Sequence, residues 1–374
     1  MKKKNFVLLI TALFIIVAIG ILFLQSQKKP PLETKFVQRA EEQSKDSGVE
    51  NNGKLQSDIQ IKDPGTYTLV SNPKHTYQTF NNCGPATLSM ILSFYGRDVS
   101  QKELGEQMRP YQISSGDNDD KTIFTYEFVE WAKKYGSEAI GRVNGDIELL
   151  KKFTANGIPV VVKTWLHINE DIGHFRIVRG FDEEKQYIIQ DDSYEGPNRK
   201  ISYYDFLSMW QPFNYAYVIV YTGEQKELVE TILGEELDEG KVWNNALIRA
   251  QKESELDATN AYPVFNMSTS YYHLGNYQKS VESFEKVEKR LPKRMLWYQI
   301  EPIQAYYKLE NYERVNQIID KVLTNGNRAY SELYQIRGEM FLLQGKNEAA
   351  KSEFEKALYY NNNYSPASEA LKKL

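Results

Sequence analysis

The sequence predicts an α+β domain followed by an all-α repeat array, behind a single N-terminal transmembrane helix. Three observations carry this. Residues 6–24 are uncharged and overwhelmingly apolar; between about 61 and 222 helical periodicity gives way to strand periodicity; and from about 223 strand signals vanish while a motif recurs every 35 residues. The full length of 374 residues also exceeds what one core usually organises, roughly 250 residues.

The chain opens MKKKNFVLLITALFIIVAIGILFLQSQKK. At about 1.5 Å per residue the apolar run spans about 28 Å, close to the roughly 30 Å hydrocarbon core of a bilayer. Lys2, Lys3 and Lys4 favour a cytoplasmic tip and place the rest of the chain outside the cytoplasm. A cleaved signal peptide has a shorter apolar region and a small-x-small site, which LFLQSQ does not supply. No cysteine follows the run directly, which excludes a lipid-anchored N-terminus. Residues 1–27 therefore read as basic tip and signal anchor, and the polar stretch 28–60 as a disordered tether.

Within 61–222 the apolar spacing predicts helices over 84–95, 100–108, 124–135 and 146–155, three of them closed by Gly96, Gly136 and Gly157. Strands follow at IPVVVKTW (158–165), HFRIVRGF (174–181), QYIIQ (186–190) and YAYVIVY (215–221), with DEEK as a turn. Helices first and a mostly antiparallel sheet afterwards define α+β. A formal charge of -4 gives no basic footprint for nucleic acid. No phosphate loop, metal-spaced histidine pair or dinucleotide fingerprint is present, so neither cofactor nor metal is expected. The run SGDNDD (115–120) offers oxygen ligands but lacks the glycine and terminal glutamate of a calcium loop, and reads as a solvated loop.

Beyond 223, LGNYQKSVESFEKV from 274, LENYERVNQIIDKV from 309 and QGKNEAAKSEFEKA from 344 align, with EGKVWNNALIRAQK from 239 as a degenerate copy. This pattern resembles the tetratricopeptide repeat, a helix-turn-helix unit that stacks into a solenoid, although the signature tryptophan is absent and Glu310 replaces a glycine. The resemblance implies that 223–374 docks a protein partner or substrate.

The chain has one cysteine, Cys83, and four histidines. A cysteine nucleophile needs its thiolate stabilised by a helix N-terminus, an imidazolium, or both. Cys83 follows Asn81 and Asn82, either a potential cap, and opens a helix whose Leu88, Ile91, Leu92 and Tyr95 share one face. Its backbone N–H can meet a developing oxyanion, and Gly84 suggests close approach of substrate. His75 lies in a polar approach segment, His273 in the repeats and His167 in a loop; His174, at a strand start after Gly173, is the candidate base. Asp192 in QDDSYEGP is its candidate orienting partner and Asp191 the rival, strand phase alone not deciding. Trp165 is a candidate cleft-lining residue.

NNCGPATLSMIL, GHFRIVRGF and DDSYEGP together are similar to papain-like cysteine peptidases, and most of all to the bacterial branch that includes the bacteriocin leader peptidases. The resemblance covers roughly 65–222. It implies Cys83 as nucleophile, His174 as general base and acid, and Asp192 as third member, since Asp192-Ser193-Tyr194 stands in the place of the family's Asn-Ser-Trp. Gln78 matches the oxyanion glutamine, slightly closer to the cysteine than is usual. The implied chemistry is peptide-bond hydrolysis through a thioester, which also permits transfer to an amine. The expected protein is a membrane-anchored, extracytoplasmic cysteine peptidase; the alternative is a scaffold whose peptidase-like domain only binds peptides.

Overall fold

The computed structural model describes residues 59–111, 123–324 and 326–374. The anticipated transmembrane span, most of the tether and the acidic run 115–120 lie outside the described residues. Among the described residues, no helix is long and apolar enough to cross a membrane.

After a short strand β1 (Tyr67–Leu69) come three helices, α1 (Cys83–Phe94), α2 (Gln101–Met108) and α3 (Thr125–Lys134). Strand β2 (Glu138–Arg142) and helix α4 (Ile147–Ala155) follow. Ser100 and Asp146 cap α2 and α4 by accepting from backbone N–H groups three residues on. Gly96, Gly136 and Gly157 take φ of 76°, 79° and 78°, the left-handed turn that ends a helix without a Cβ clash.

Strands β3 (Val160–Trp165), β4 (Gly173–Asp182), β5 (Tyr187–Asp192), β6 (Gly196–Ser202) and β7 (Tyr217–Tyr221), with helix α5 (Tyr203–Trp210) before β7, complete this part. Among the described residues the sheet has seven strands in the order β2-β7-β3-β4-β5-β6, with β1 paired to β4, and every pairing is antiparallel. Alternation sends Val161, Phe175 and Ile177 to one face, against Leu88, Ile91 and Leu92 of α1. Val160, Val162 and Val178 go to the other, against Leu150, Phe153 and Phe206. Burial on both faces explains the near-continuous apolar runs that marked these strands in the sequence.

The rest is helical. Helix α6 (Lys226–Leu233) leads to α7 (Glu239–Leu256), built by the degenerate copy, then α8 (Ala261–His273) and α9 (Tyr277–Val287), a short α10 (Met295–Tyr298), α11 (Glu301–Lys308) and α12 (Tyr312–Thr324). Helices α13 (Ser331–Leu343), α14 (Asn347–Tyr360) and α15 (Ser365–Leu371) close the chain. Gly275, Glu310 and Gly345 occupy the same turn of successive repeats with φ of 74°, 56° and 71°. Glu310 thus adopts a conformation that its Cβ disfavours, which is why the repeat pattern has glycine there.

Sheet and repeats share one hydrophobic cluster: Phe124, Trp165, Met209 and Phe213 pack with Phe265, Trp297, Tyr298 and Tyr330. Polar contacts reinforce it, Gln211 Nε2 donating to Glu253 Oε2 (2.8 Å) and Asn266 Nδ2 to the Gln211 carbonyl (2.8 Å). Farther along the array, Tyr111 meets the rings of Tyr359 and Tyr360, and Asn363 Nδ2 donates to the Gln107 carbonyl (2.9 Å).

A chain ended after residue 222 uncovers Trp165, Met209 and Phe213, each worth roughly 1.5–3 kcal/mol when buried. It is expected to melt at a lower temperature than the full protein and to bind a hydrophobic dye. Equal melting temperatures would show that the two parts fold independently.

Candidate active site

The segment before α1 is held by side chains. Gln101 Oε1 accepts from the Thr79 N–H (2.9 Å), and its Nε2 donates to the Tyr77 carbonyl (2.6 Å). The Gln78 N–H donates to the Ser193 carbonyl (2.8 Å), and Ser193 Oγ donates to Gln78 Oε1 (2.8 Å). Gln78 is thereby tied to the loop that follows β5, with its amide nitrogen left as a donor.

Asn81 turns left-handed (φ 54°) and Asn82 is the N-cap of α1, without a side-chain capping bond. The Asn82 side chain is buried instead and donates to Thr79 Oγ1 (2.7 Å). Cys83 is the first residue of the helix, at the positive end of its dipole. Gly84 does not face open space as its sequence position suggested: a Cβ there would come 2.6 Å from Ile123, so the glycine makes room for core packing.

Cys83 Sγ lies 4.0 Å from the Gly173 carbonyl at the start of β4, and the thiol is near enough to His174 to help raise the imidazole pKa. His174 Nε2 is 2.9 Å from Asp192 Oδ1. That oxygen also accepts from the backbone N–H groups of Tyr194 (2.7 Å) and Glu195 (3.0 Å). Strand register explains the meeting: Arg176 is opposite Asp192, and His174, two residues earlier, shares its face.

Asp191 points the other way, accepting from the Asn198 N–H (2.9 Å) and lying 2.8 Å from Arg179 Nε. The structure therefore brings Cys83, His174 and Asp192 together and leaves Asp191 in a separate ion pair. A bulge at Arg179 between β4 and β5 makes that second pairing possible.

Arg176 was not singled out from the sequence. Its Nε lies 2.7 Å from Asp192 Oδ2, in ionic contact without the alignment of a hydrogen bond. Its other nitrogens donate to the Trp165 carbonyl (2.7 Å), to Thr164 Oγ1 and to the Leu166 carbonyl. A charged residue two positions after the candidate base, and so on the same face of the strand, was the available signal.

Burial alone would lower the His174 pKa, but the Asp192 charge outweighs it and the imidazole is pushed up to about 8. Burial alone would raise Asp192; the charges of His174 and Arg176 and the Glu195 N–H hold it well below the usual carboxylate range.

The other histidines are engaged elsewhere. His167 is clamped between Glu170 (Nδ1, 3.0 Å) and Glu195 (Nε2, 2.8 Å), and His273 stacks on Trp243 with centroids 3.8 Å apart. His75 packs edge-on against Tyr77. Trp165 does not line an open cleft: it is buried against Phe213 and Tyr298. Tyr77, Phe80, Ile168 and Tyr194, exposed and close in sequence to the site residues, offer apolar surface. Among the described residues no cluster of His, Cys, Asp or Glu has the makings of a metal site.

Residues 66–218 match the model of the Peptidase_C39 like family, and residues 263–293 and 331–364 match the tetratricopeptide repeat. The chain therefore carries a C39-like peptidase domain followed by tetratricopeptide repeats. Among solved structures it resembles a putative C39-like peptidase from Bacillus anthracis (18% identity, TM-score 0.34, 42% of this chain and 98% of that one). It also resembles the peptidase domain of Streptococcus ComA, a bifunctional ABC transporter (20% identity, TM-score 0.31, 41% and 98%). MamA is a further likeness (14% identity, TM-score 0.32, 35% and 75%). No curated protein matches the chain.

Asp192→Ala leaves His174 and Arg176 buried without their counter-charge, and is expected to cost about 3–5 kcal/mol in urea denaturation. In the intact protein the folded His174 pKa of about 8 stands above its ordinary 6.5. Its contribution, about 2 kcal/mol, is therefore complete below pH 6.5 and lost as the pH rises through 8. The Asp192→Ala variant should lack this slope; a variant retaining both stability and slope would contradict the pairing.

Proposed function

We propose that this protein is a cysteine peptidase that cleaves peptide bonds through a Cys83 thiolate, with His174 as general base and acid, Asp192 as its orienting partner, and Gln78 with the Cys83 N–H as oxyanion donors. The observation that carries the reading is the position of His174, hydrogen-bonded to buried Asp192 and set beside the thiol at a helix N-terminus. A protein that only binds peptides has no use for a desolvated charge pair beside its single cysteine.

In this reading Asp192 occupies Nε2 of His174, so Nδ1 is left to take the thiol proton. The thiolate attacks the scissile carbonyl, and the negative oxygen is met by the Cys83 N–H and the Gln78 amide. Gln78 is suited to this because Ser193 fixes its oxygen and thereby orients its nitrogen. His174 then protonates the departing amine, leaving a thioester. Deacylation repeats the sequence with water, which gives its proton to His174 as it attacks; an amine in place of water yields transfer.

The apolar run 6–24 supports a single-pass membrane anchor with a cytoplasmic tip, and the folded part on the extracytoplasmic side. The repeats supply surface for a protein partner or for substrate outside the cleft.

Incubating the full chain with a diverse peptide library and reading products by mass spectrometry tests the assignment. Cleavage is expected for the wild type and absent in Cys83→Ala and His174→Ala. Gln78→Ala should lower kcat by about 10²–10³ with little change in KM, the loss seen when one oxyanion donor is removed. Undiminished cleavage by Cys83→Ala would overturn the mechanism.

A further inference from the structure

Residues Asp171–Gly173 lead from the loop after β3 directly into His174, and the repeat array holds them. The Tyr298 ring on α10 lies against Gly173 so closely that a Cβ there would come 2.8 Å from Cε1. Tyr298 Oη donates to the Asp171 carbonyl (3.3 Å). Arg294, just before α10, binds the same aspartate twice, Nη1 to Oδ1 (2.7 Å) and backbone N–H to Oδ2 (3.2 Å).

The facing strand is gripped in the same way. Trp165, the register partner of Gly173, packs edge-on against Tyr298 with centroids 5.6 Å apart, and its Nε1 donates to Tyr262 Oη on α8 (3.3 Å). The carbonyl of that same Trp165 receives Arg176, which braces Asp192.

A glycine immediately before a catalytic base is a weak support, since glycine has more backbone freedom to lose than any other residue. Here the freedom is removed from outside by an aromatic ring that only glycine leaves room for. Gly173 also carries the carbonyl next to Cys83 Sγ. Displacement of this one residue would therefore move the imidazole and the surroundings of the thiol together, and misplacement by about 1 Å can cost a reaction about 10²-fold.

We propose that Tyr298 is a positioning residue for His174: the repeat array, through α10, forms the outer wall of the peptidase site and fixes the base against the thiol. The inference rests on the peptidase reading above and adds that the repeats act on the chemistry as well as on docking. The charged groups facing His174 are Asp192, Arg176 and Cys83; on the loop itself Asp171 is neutralised by Arg294.

The test is the rate of Cys83 alkylation by iodoacetamide from pH 5 to 9 in the full chain, with circular dichroism to establish folding. Wild type is expected to label rapidly at pH 6. Tyr298→Ala should label about 10–100-fold more slowly there, as expected if the thiol reverts towards the ordinary pKa near 8.5. Its profile should approach that of His174→Ala, and Tyr298→Phe, which keeps the ring, should restore most of the rate. Should Tyr298→Ala not fold, Arg294→Gln, a half-buried contact to the same loop, decides by the same criterion. A folded Tyr298→Ala, or failing that Arg294→Gln, with the wild-type profile overturns the positioning role and leaves the peptidase assignment intact. A rapidly labelled wild type that cuts no peptide overturns hydrolysis alone and leaves the positioning role standing. A wild type that labels as an ordinary thiol overturns both.

Discussion

The site depends on one buried charge cluster, Arg176, Asp192 and His174, enclosed in the antiparallel sheet with almost no exposure. Desolvating three ionisable groups costs several kcal/mol per ion, and mutual attraction offsets it only when the remaining polar atoms also find partners. Most do: two backbone N–H groups complete Asp192 Oδ1, and two carbonyls with a threonine hydroxyl take the terminal nitrogens of Arg176, while Arg176 Nε and Asp192 Oδ2 meet in ionic contact. Those partners lie on β3, on the segment after it and on the turn after β5, so the cluster sets the spacing of the elements around Cys83.

From this constraint the rest of the site follows. Asp192 is fixed on both oxygens, so it presents Oδ1 to His174 in one orientation; His174 is left with one ring nitrogen for the thiol. Asp191, though adjacent in sequence, is spent on Arg179 and Asn198. On the other side of the thiol, Gln101 and Ser193 tie down the segment that carries Gln78, and α1 brings Cys83 to the start of β4. The repeats close the arrangement from outside by packing Tyr298 on Gly173.

Much of this was legible because local chemistry wrote it. The four early helices were marked by apolar spacing, three of them also by glycines that turn left-handed, and the buried strands by runs of valine, isoleucine and tyrosine. The repeat turns were marked by a 35-residue period, which Glu310 keeps in spite of its Cβ. What escaped has physical reasons. Strand β2 reads EAIGR, without alternation, and β6 starts Gly-Pro and is mostly exposed, since it pairs on one side only. Gly84 and Trp165 were assigned to the cleft because sequence shows residue type but not which surface meets which. Both are packed by residues distant in the chain, Ile123 for one and Phe213 and Tyr298 for the other. The same blindness hid Arg176 and the whole junction between sheet and repeats, and strand phase alone left Asp191 and Asp192 open.

The central claim is that the buried cluster keeps His174 protonated beside the thiol at neutral pH. Its direct test is a ¹⁵N–¹H titration of the histidine side chains in the full chain, with His174 assigned by difference from His174→Ala. The account predicts an imidazolium that loses its proton near pH 8. An imidazole already neutral at pH 6.5 and above would contradict it, because Asp192 and Arg176 would then not be setting the charge of the imidazole.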